Sequence, residues 1–490
     1  MTAHSTLLMG HRRRFLVVLA AAGLSCVLVP PTATPVQTPP APPGPCDDPV
    51  QQLTCYCSNH GLAAKVAGTT NIVTPCYPSS VQTPTPLLFG LFSVWSWTAS
   101  NWPVTPLHTP DYAANFDDRP DHATFWETWK TSRDVFIADG RPPPPLDSPK
   151  RLLSAACRRI DVKAEMAKYP GWEKVPAELP PRYLPTYVIN ETNDYVADRN
   201  GQPVRVEITM NPTAFDYIFQ NRLYSEDGQR AFVEGGGTIA FPIGKFGEGL
   251  PRGSHLLKAV WKVLGPNDDF DQYHKAWAYV EPWFERGTIV EDCRLAPVGL
   301  VAAHLNSKLD QAPKWSWATF EHERNAPLRK NVASAKIGQF NFFTPGCSPP
   351  TCAEINQRPQ LFPPGGTHPE FPNLAMEQTW GEGEELNNPN TVGSAVWANQ
   401  QFAEQLKNSV FVHYKLKGTQ WFDDSKKQES PRILANTLLE AYSQTTSTCL
   451  GCHQTAGLTG PGPYGERVGQ KYPSDFVFVL NEAKPEIHVE

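Results

Sequence analysis

The sequence predicts an α+β fold, an antiparallel β core with helical inserts and a C-terminal helical segment closing onto it. Three observations lead there. Between residues 186 and 332, strand-length runs rich in β-branched and aromatic residues recur, separated by turn-forming stretches. Helical patterns interrupt these runs, beginning with an Asn-Pro start at Asn211 and Pro212. The last helical pattern leads directly into a compact cysteine–histidine motif near the C-terminus, whose chemistry requires upstream partners.

The elements follow in chain order. His11-Arg12-Arg13-Arg14 precedes the apolar run FLVVLAAAGLSCVLV, so residues 1–33 read as an export signal. The run is short for a bilayer span, and no span is expected once the signal is removed. Gly23 stands three positions before Cys26, where a lipobox would place an aliphatic residue; a lipoprotein and an uncleaved anchor are the alternatives. Residues 34–120 form a Pro/Cys-rich region expected to be mostly irregular. His60 lies near Cys55 and Cys57, but this spacing fits no zinc pattern.

Residues 121–345 are expected to be the β-rich core. A helix is predicted from Asp121 through DHATFWETWKTSRDVF, because Phe125, Trp129 and Val135 fall on one face. VRVEI, SHLLKAVWKVL, CRLAPVGLVAAHL and WSWATFEHE read as strands, and NPTAFDYIFQNRLY as a helix between the first two. Residues 346–490 are expected to be helical and to pack on that core. There TVGSAVWANQQFAEQLKNS reads as a helix and VFVHYKLKGTQWF as a strand. SPRILANTLLEAYSQTT reads as a second helix with Ser430 as cap and Pro431 in its first turn.

Composition narrows the class. Of 490 residues, 40% are hydrophobic and 19% charged, enough for a real core. Fifty prolines imply many irregular connections, and 14 Trp with 24 Phe and 15 Tyr suit thick cores or a large flat buried group. The net charge of −6 becomes about −9 without the leader arginines, which excludes a nucleic-acid footprint and weakly favours a basic partner. Export makes disulfides the default for Cys46, Cys55, Cys57, Cys76, Cys157, Cys293, Cys347 and Cys352. Cys347–Cys352 is a plausible local bridge and Cys157–Cys293 a long tie. The acidic stretches FDD and NDDFD read as solvated turns rather than calcium sites. GGGTIAFPIGKFGEG lacks the Gly-Lys-Ser/Thr of a phosphate loop.

TCLGCHQ contains the one Cys-x-x-Cys-His in the chain. Its two thiols, Cys449 and Cys452, have the spacing to add to the vinyl groups of a haem, and His453 is placed to supply the iron with a nitrogen. A redox disulfide is the competing reading, but the Gly/Pro-rich continuation is poor material for the long helix of a thioredoxin-like site. The expected cofactor is a single covalent haem c, and the C-terminal segment is a helical haem c segment. No methionine follows Met376, and beyond His453 the only histidine is His488 in the tail, so a sixth ligand must come from upstream. His322, beside Trp315, Trp317 and Phe320, is the leading candidate for the distal iron ligand. His304 is the weaker one, and His413, Met376 and an open position follow.

LANTLLEAYSQTTSTCLGCHQTA, KWSWATFEHERNAP, LKGTQW and PSDFVFVL together resemble the large single-haem cytochrome c family proteins of bacterial envelopes, over roughly residues 120–490. The resemblance implies export to the periplasm or envelope and covalent haem at Cys449, Cys452 and His453; it implies no substrate. Electron transfer to a redox protein or small-molecule donor or acceptor is the leading function. An enzyme with an open iron face, using His322 with Arg324 on peroxide, is the second. A scaffold with structural haem is a distant third.

Overall fold

The computed structural model describes residues 77–116, 121–146, 148, 153–169, 171–184, 196–246, 253–281, 283–285, 288–290, 292–360, 370–377, 395–458 and 472–487. All lie in one compact unit, Pro43–Glu490. The leader, the tether, His60 and the first four exported cysteines fall outside the described residues.

The longest helix among the described residues is a buried one, α1 (Pro86–Ser100). Thr85 caps it by accepting from Leu88 N, and Pro86 occupies its first turn. Its apolar residues surround the axis, so it has no solvent face and lies inside the fold. Within 77–116, the described part of the 34–120 region expected to be mostly irregular, this helix is a correction. The helix predicted from Asp121 is also corrected. Thr124 and Thr131 each build a capping box, which breaks the stretch into a single 3₁₀ turn (Phe125–Thr128), β1 (Lys130–Thr131) and α2 (Ser132–Val135).

After α3 (Val162–Met166) and β2 (Arg182–Leu184), the predicted strands form where their composition placed them. They are β3 (Arg205–Met210), β4 (His255–Val263), β5 (Lys275–Val280), β8 (Arg294–Leu309) and β9 (Ala312–His322). β6 (Trp283–Glu285) and β7 (Thr288–Val290) make a separate hairpin. Between β3 and β4 stand α4 (Pro212–Gln220), capped by Asn211, and α5 (Glu226–Glu234), capped by Ser225. α6 (Ala395–Gln405), β10 (Tyr414–Asp423), β11 (Gln428–Ser430) and α7 (Cys449–His453) complete the described elements.

The main sheet runs β1-β3-β4-β8-β9-β10-β11, with β5 on β8 and β2 on β5. Every pairing in it is antiparallel except β2–β5. β8 is its spine. One edge bonds β4; the other bonds β5 over its first part and β9 over its second. Where β5 and β9 part, Tyr414 Oη donates to Leu300 O and Asn325 Nδ2 to Val301 O. β10 belongs to the region expected to pack on the core, yet it pairs directly with β9 and is part of that core.

The two sheet faces carry different cargo. Leu257, Ala259, Trp261, Ala303, Leu305, Ala318 and Phe320 face α1 and α6, and Trp97 stacks on Phe320 with centroids 4.3 Å apart. Such an aromatic pair contributes about 1 kcal/mol beyond its buried area. On the opposite face, Met210, Leu256, Trp315 and Trp317 meet α4, α7 and the chain after Val477. Val260 and Ala302 meet Leu438 and Leu439.

Residues 431–446 are turns rather than the predicted helix. Their backbone donors are taken by side chains: Asn436 N donates to Glu440 Oε2, Thr437 N to Glu321 Oε2 and Leu438 N to Asn436 Oδ1. Local acceptors of this kind compete with the helix ladder. Both anticipated bridges are present, Cys157–Cys293 and Cys347–Cys352. In NDDFD the acids find separate partners: Asp268 pairs with Lys262, Asp269 caps a 3₁₀ turn and Asp271 pairs with Lys174. Among the described residues no helix is long and apolar enough to cross a membrane.

Candidate haem-attachment site

Thr448 starts α7 by accepting a hydrogen bond from Gly451 N, so Cys449, Cys452 and His453 share one short helical side, with Cys452 exposed and Cys449 and His453 half-buried. Leu450 turns the other way and is buried on the sheet. Gly451 is required by this cap, because a Cβ there would stand 2.3 Å from Thr448 Cγ2. Neither Cys449 nor Cys452 takes part in a disulfide; Cys449 is half-buried and Cys452 exposed.

α7 is fastened to the sheet by one buried side chain. Gln420 Oε1, on β10, accepts from Thr448 Oγ1 at 3.1 Å and from Leu450 N at 3.0 Å. Its Nε2 donates to Pro431 O at 2.7 Å. Replacing Gln420 with leucine leaves these groups buried without partners, at about 1–3 kcal/mol. We expect Q420L to lower the urea midpoint and the yield of any covalently attached cofactor together; a normal yield in a destabilised protein would separate the anchor from the attachment helix.

His453 is oriented by three contacts. Its ring lies against Trp317, with centroids 4.2 Å apart, and against Phe478 at 5.0 Å. Its Nδ1 is 2.8 Å from the carbonyl of Phe476. A proton on Nδ1 satisfies that carbonyl and leaves Nε2 as the lone-pair nitrogen, the tautomer a metal ligand needs. The carbonyl is itself held in an unusual backbone: Asp475 and Phe476 have φ of 54° and 66°, which non-glycine residues rarely adopt. Lys308 pairs with Asp475, Phe241 N donates to the Asp475 carboxylate, and Trp315 Nε1 donates to Asp475 O.

These features fit a covalently held haem. Two thiols three residues apart precede a histidine whose tautomer is set by a backbone carbonyl, and an aromatic wall stands beside that ring. The chain matches no family model, no curated protein and no solved structure.

The four upstream ligand candidates separate. Trp317 and His322 are five residues apart on β9, about 17 Å along the strand, and on opposite faces by alternation. His322 is fully buried, with Nε2 2.7 Å from Gln272 O and Nδ1 accepting from Arg324 N at 3.2 Å. Burial pushes its pKa down to about 3, so the imidazole is neutral. Arg324 is tied to Gln272 Oε1 and to the carbonyls of Gln339 and Gly338. His413 is bound to Glu323 at 2.7 Å and lies 5.7 Å from His322. Met376 pairs its backbone with Pro327 and Arg329, in the loop leaving β9 after His322. His304, opposite Thr319, shares the sheet face of Trp317. The Trp-rich stretch thus meets the motif through Trp317 and not through His322.

Gln420, Asp475 and Phe476 escape sequence reasoning because each reaches the motif through tertiary structure, whereas Trp317 stood in the stretch singled out around His322. A usable signal was the i, i+2 spacing of Trp315 and Trp317 in a strand, which aims both at one face.

Proposed function

We propose that the protein is an exported c-type cytochrome that transfers electrons in the bacterial cell envelope, with one haem attached at Cys449 and Cys452 and His453 on the iron. The observation that carries this reading is the bond between His453 Nδ1 and the Phe476 carbonyl, because it prepares Nε2 for a metal. A haem held there would supply a one-electron ferric/ferrous couple. The residues do the rest: the two thiols fix the group to α7, Gln420 ties α7 to the sheet, and Trp317 and Phe478 keep the imidazole from turning.

Electron transfer is favoured over peroxide chemistry by the position of His322 and Arg324. As a distal acid–base pair they would have to reach the iron. Their nitrogens are instead engaged in backbone and Gln272 bonds at the far end of β9.

The test is spectroscopic. Protein exported from a host with haem-attachment machinery should give the alkaline pyridine spectrum of a thioether-linked haem and an intact mass raised by one haem. If both are missing, the proposal fails. Given haem, a low-spin ferric signal and no carbon monoxide binding after reduction mark a carrier. High-spin iron that binds carbon monoxide promptly marks an enzyme.

A further inference from the structure

Where β5 ends and β8 begins, three side chains of metal-ligand type come together. Val280, the last residue of β5, pairs with Arg294, the first of β8, so the flanking Glu281 and Cys293 meet at that edge. Cys157, which opens the 3₁₀ turn Cys157–Arg159, completes the group. The Sγ atoms of Cys157 and Cys293 and a carboxylate oxygen of Glu281 all lie within 4.8 Å of one another. Glu281 Oε1 stands 2.9 Å from Cys157 Sγ and accepts from Ser154 Oγ at 2.5 Å. A bridged sulfur has no proton to give a carboxylate, so in the disulfide form this approach gains the anion nothing. Among the described residues, Cys347–Cys352 has no carboxylate gathered against both its sulfurs.

We infer that, once the bridge is reduced, Cys157, Cys293 and Glu281 form a binding site for a thiophilic divalent cation of the zinc type. Cys157 and Cys293 pack in a different apolar cluster from Leu450 of the haem motif, and the site does not depend on haem being attached. A dithiol opens the bridge: the cystine S–S bond breaks, the reductant's own S–S bond forms, and its two hydrogens pass to Cys157 and Cys293. The cation then displaces both protons and is held by two thiolates and the carboxylate. Zinc holds thiolate sulfur at about 2.3 Å, so two sulfurs on one tetrahedral ion stand about 3.8 Å apart. That separation lies within the span the three ligand atoms already occupy. Three anions in one place repel one another, a dication relieves the repulsion, and thiolate sulfur selects zinc over calcium or magnesium. Ser154 steadies the carboxylate from outside the ligand set. Cys293 and Glu281 are half-buried and Asp292 beside them is exposed, which leaves a way in from solvent, while Cys157 is buried.

Metal binding is measured on the exported protein, reduced anaerobically with a phosphine that is then removed by gel filtration. Zinc alone is titrated against a chromophoric chelator, and cobalt alone serves as the optical probe of sulfur ligation. The parent is compared with its unreduced form, with E281Q and with C157S/C293S. The reduced parent should take up a single zinc ion more than C157S/C293S and show the stronger sulfur-to-cobalt charge-transfer band. E281Q keeps both thiols and should bind that ion about tenfold or more weakly, because a lost ligand costs no less than a lost outer-shell partner. Equal uptake by the reduced parent and C157S/C293S would overturn the site, and so would uptake by the parent that reduction does not raise. Full affinity in E281Q would overturn it too, and this variant keeps the test open if the double serine variant does not fold. The remaining cysteines are common to every sample, so these differences read the same with or without haem. A parent that lacks haem bears only on the cytochrome reading.

Discussion

Exchanging Cys449 and Cys452 for serine should strip covalently bound haem from the protein entirely, while the sheet continues to fold. The separation of effects follows from burial. Cys452 is exposed and Cys449 half-buried, so neither hydroxyl is forced into an apolar core. Leu450, which is the buried member of the motif, and the Gln420 bonds to α7 remain. Denaturing electrophoresis with a haem stain should lose its band in C449S/C452S, while far-ultraviolet circular dichroism stays that of the parent. Each single variant should retain one thioether. A double variant that still carries haem through denaturation would place the attachment elsewhere and remove the motif from the argument.

His453 tests the neighbouring assumption. In H453A both thiols persist, so haem should remain covalently attached while the iron loses its nitrogen and its spin state changes. That combination, attachment without ligation, distinguishes the roles of the three residues in a way that loss of colour alone cannot.

How much of this was legible in the sequence depends on whether the signal was local. β3, β4, β8, β9 and β10 could be read because β-branched and aromatic residues cluster in them, and each is long enough to show it. α1 could not, because a helix buried on every side loses the 3.6-residue alternation that marks an amphipathic one. The stretch at 431–446 has helical spacing in Leu434 and Leu438, but side chains claim its backbone donors: Glu321, 116 residues upstream, takes that of Thr437, and Glu440 and Asn436 take those of Asn436 and Leu438. The same division holds at the site. Cys449, Cys452 and His453 are contiguous and therefore visible. Trp317 lay within the stretch singled out, but the choice of His322 rested on nearness in sequence, and strand alternation sends the two side chains to opposite faces.

The largest effect on stability should come from His274, which lies on the other side of the sheet. It is fully buried between two carboxylates, with Nδ1 2.7 Å from Asp121 and Nε2 3.2 Å from Glu127. Lys275 completes the Asp121 side, and Arg182 links Glu127 to Glu207. Burial alone would lower the imidazole's pKa, but Asp121 and Glu127 outweigh it and raise it to about 9. Burial would raise Asp121 and Glu127, yet the facing cations, His274 foremost, hold both below their ordinary values. Replacing His274 by glutamine leaves two buried anions short of a cation, at about 3–5 kcal/mol. The pH dependence gives the sign. A raised native pKa means that the histidine's contribution is complete below about 6.5 and fades as pH climbs to about 9. The carboxylates act in the opposite sense, contributing above their ordinary range near 4 and losing that contribution as pH falls. Urea unfolding should therefore show the parent weakening from pH 6.5 to 9 and the gap to H274Q closing over the same interval. A gap that stays constant across that interval would mean that His274 is uncharged in the native protein, and the carboxylates around it would then need another source of positive charge.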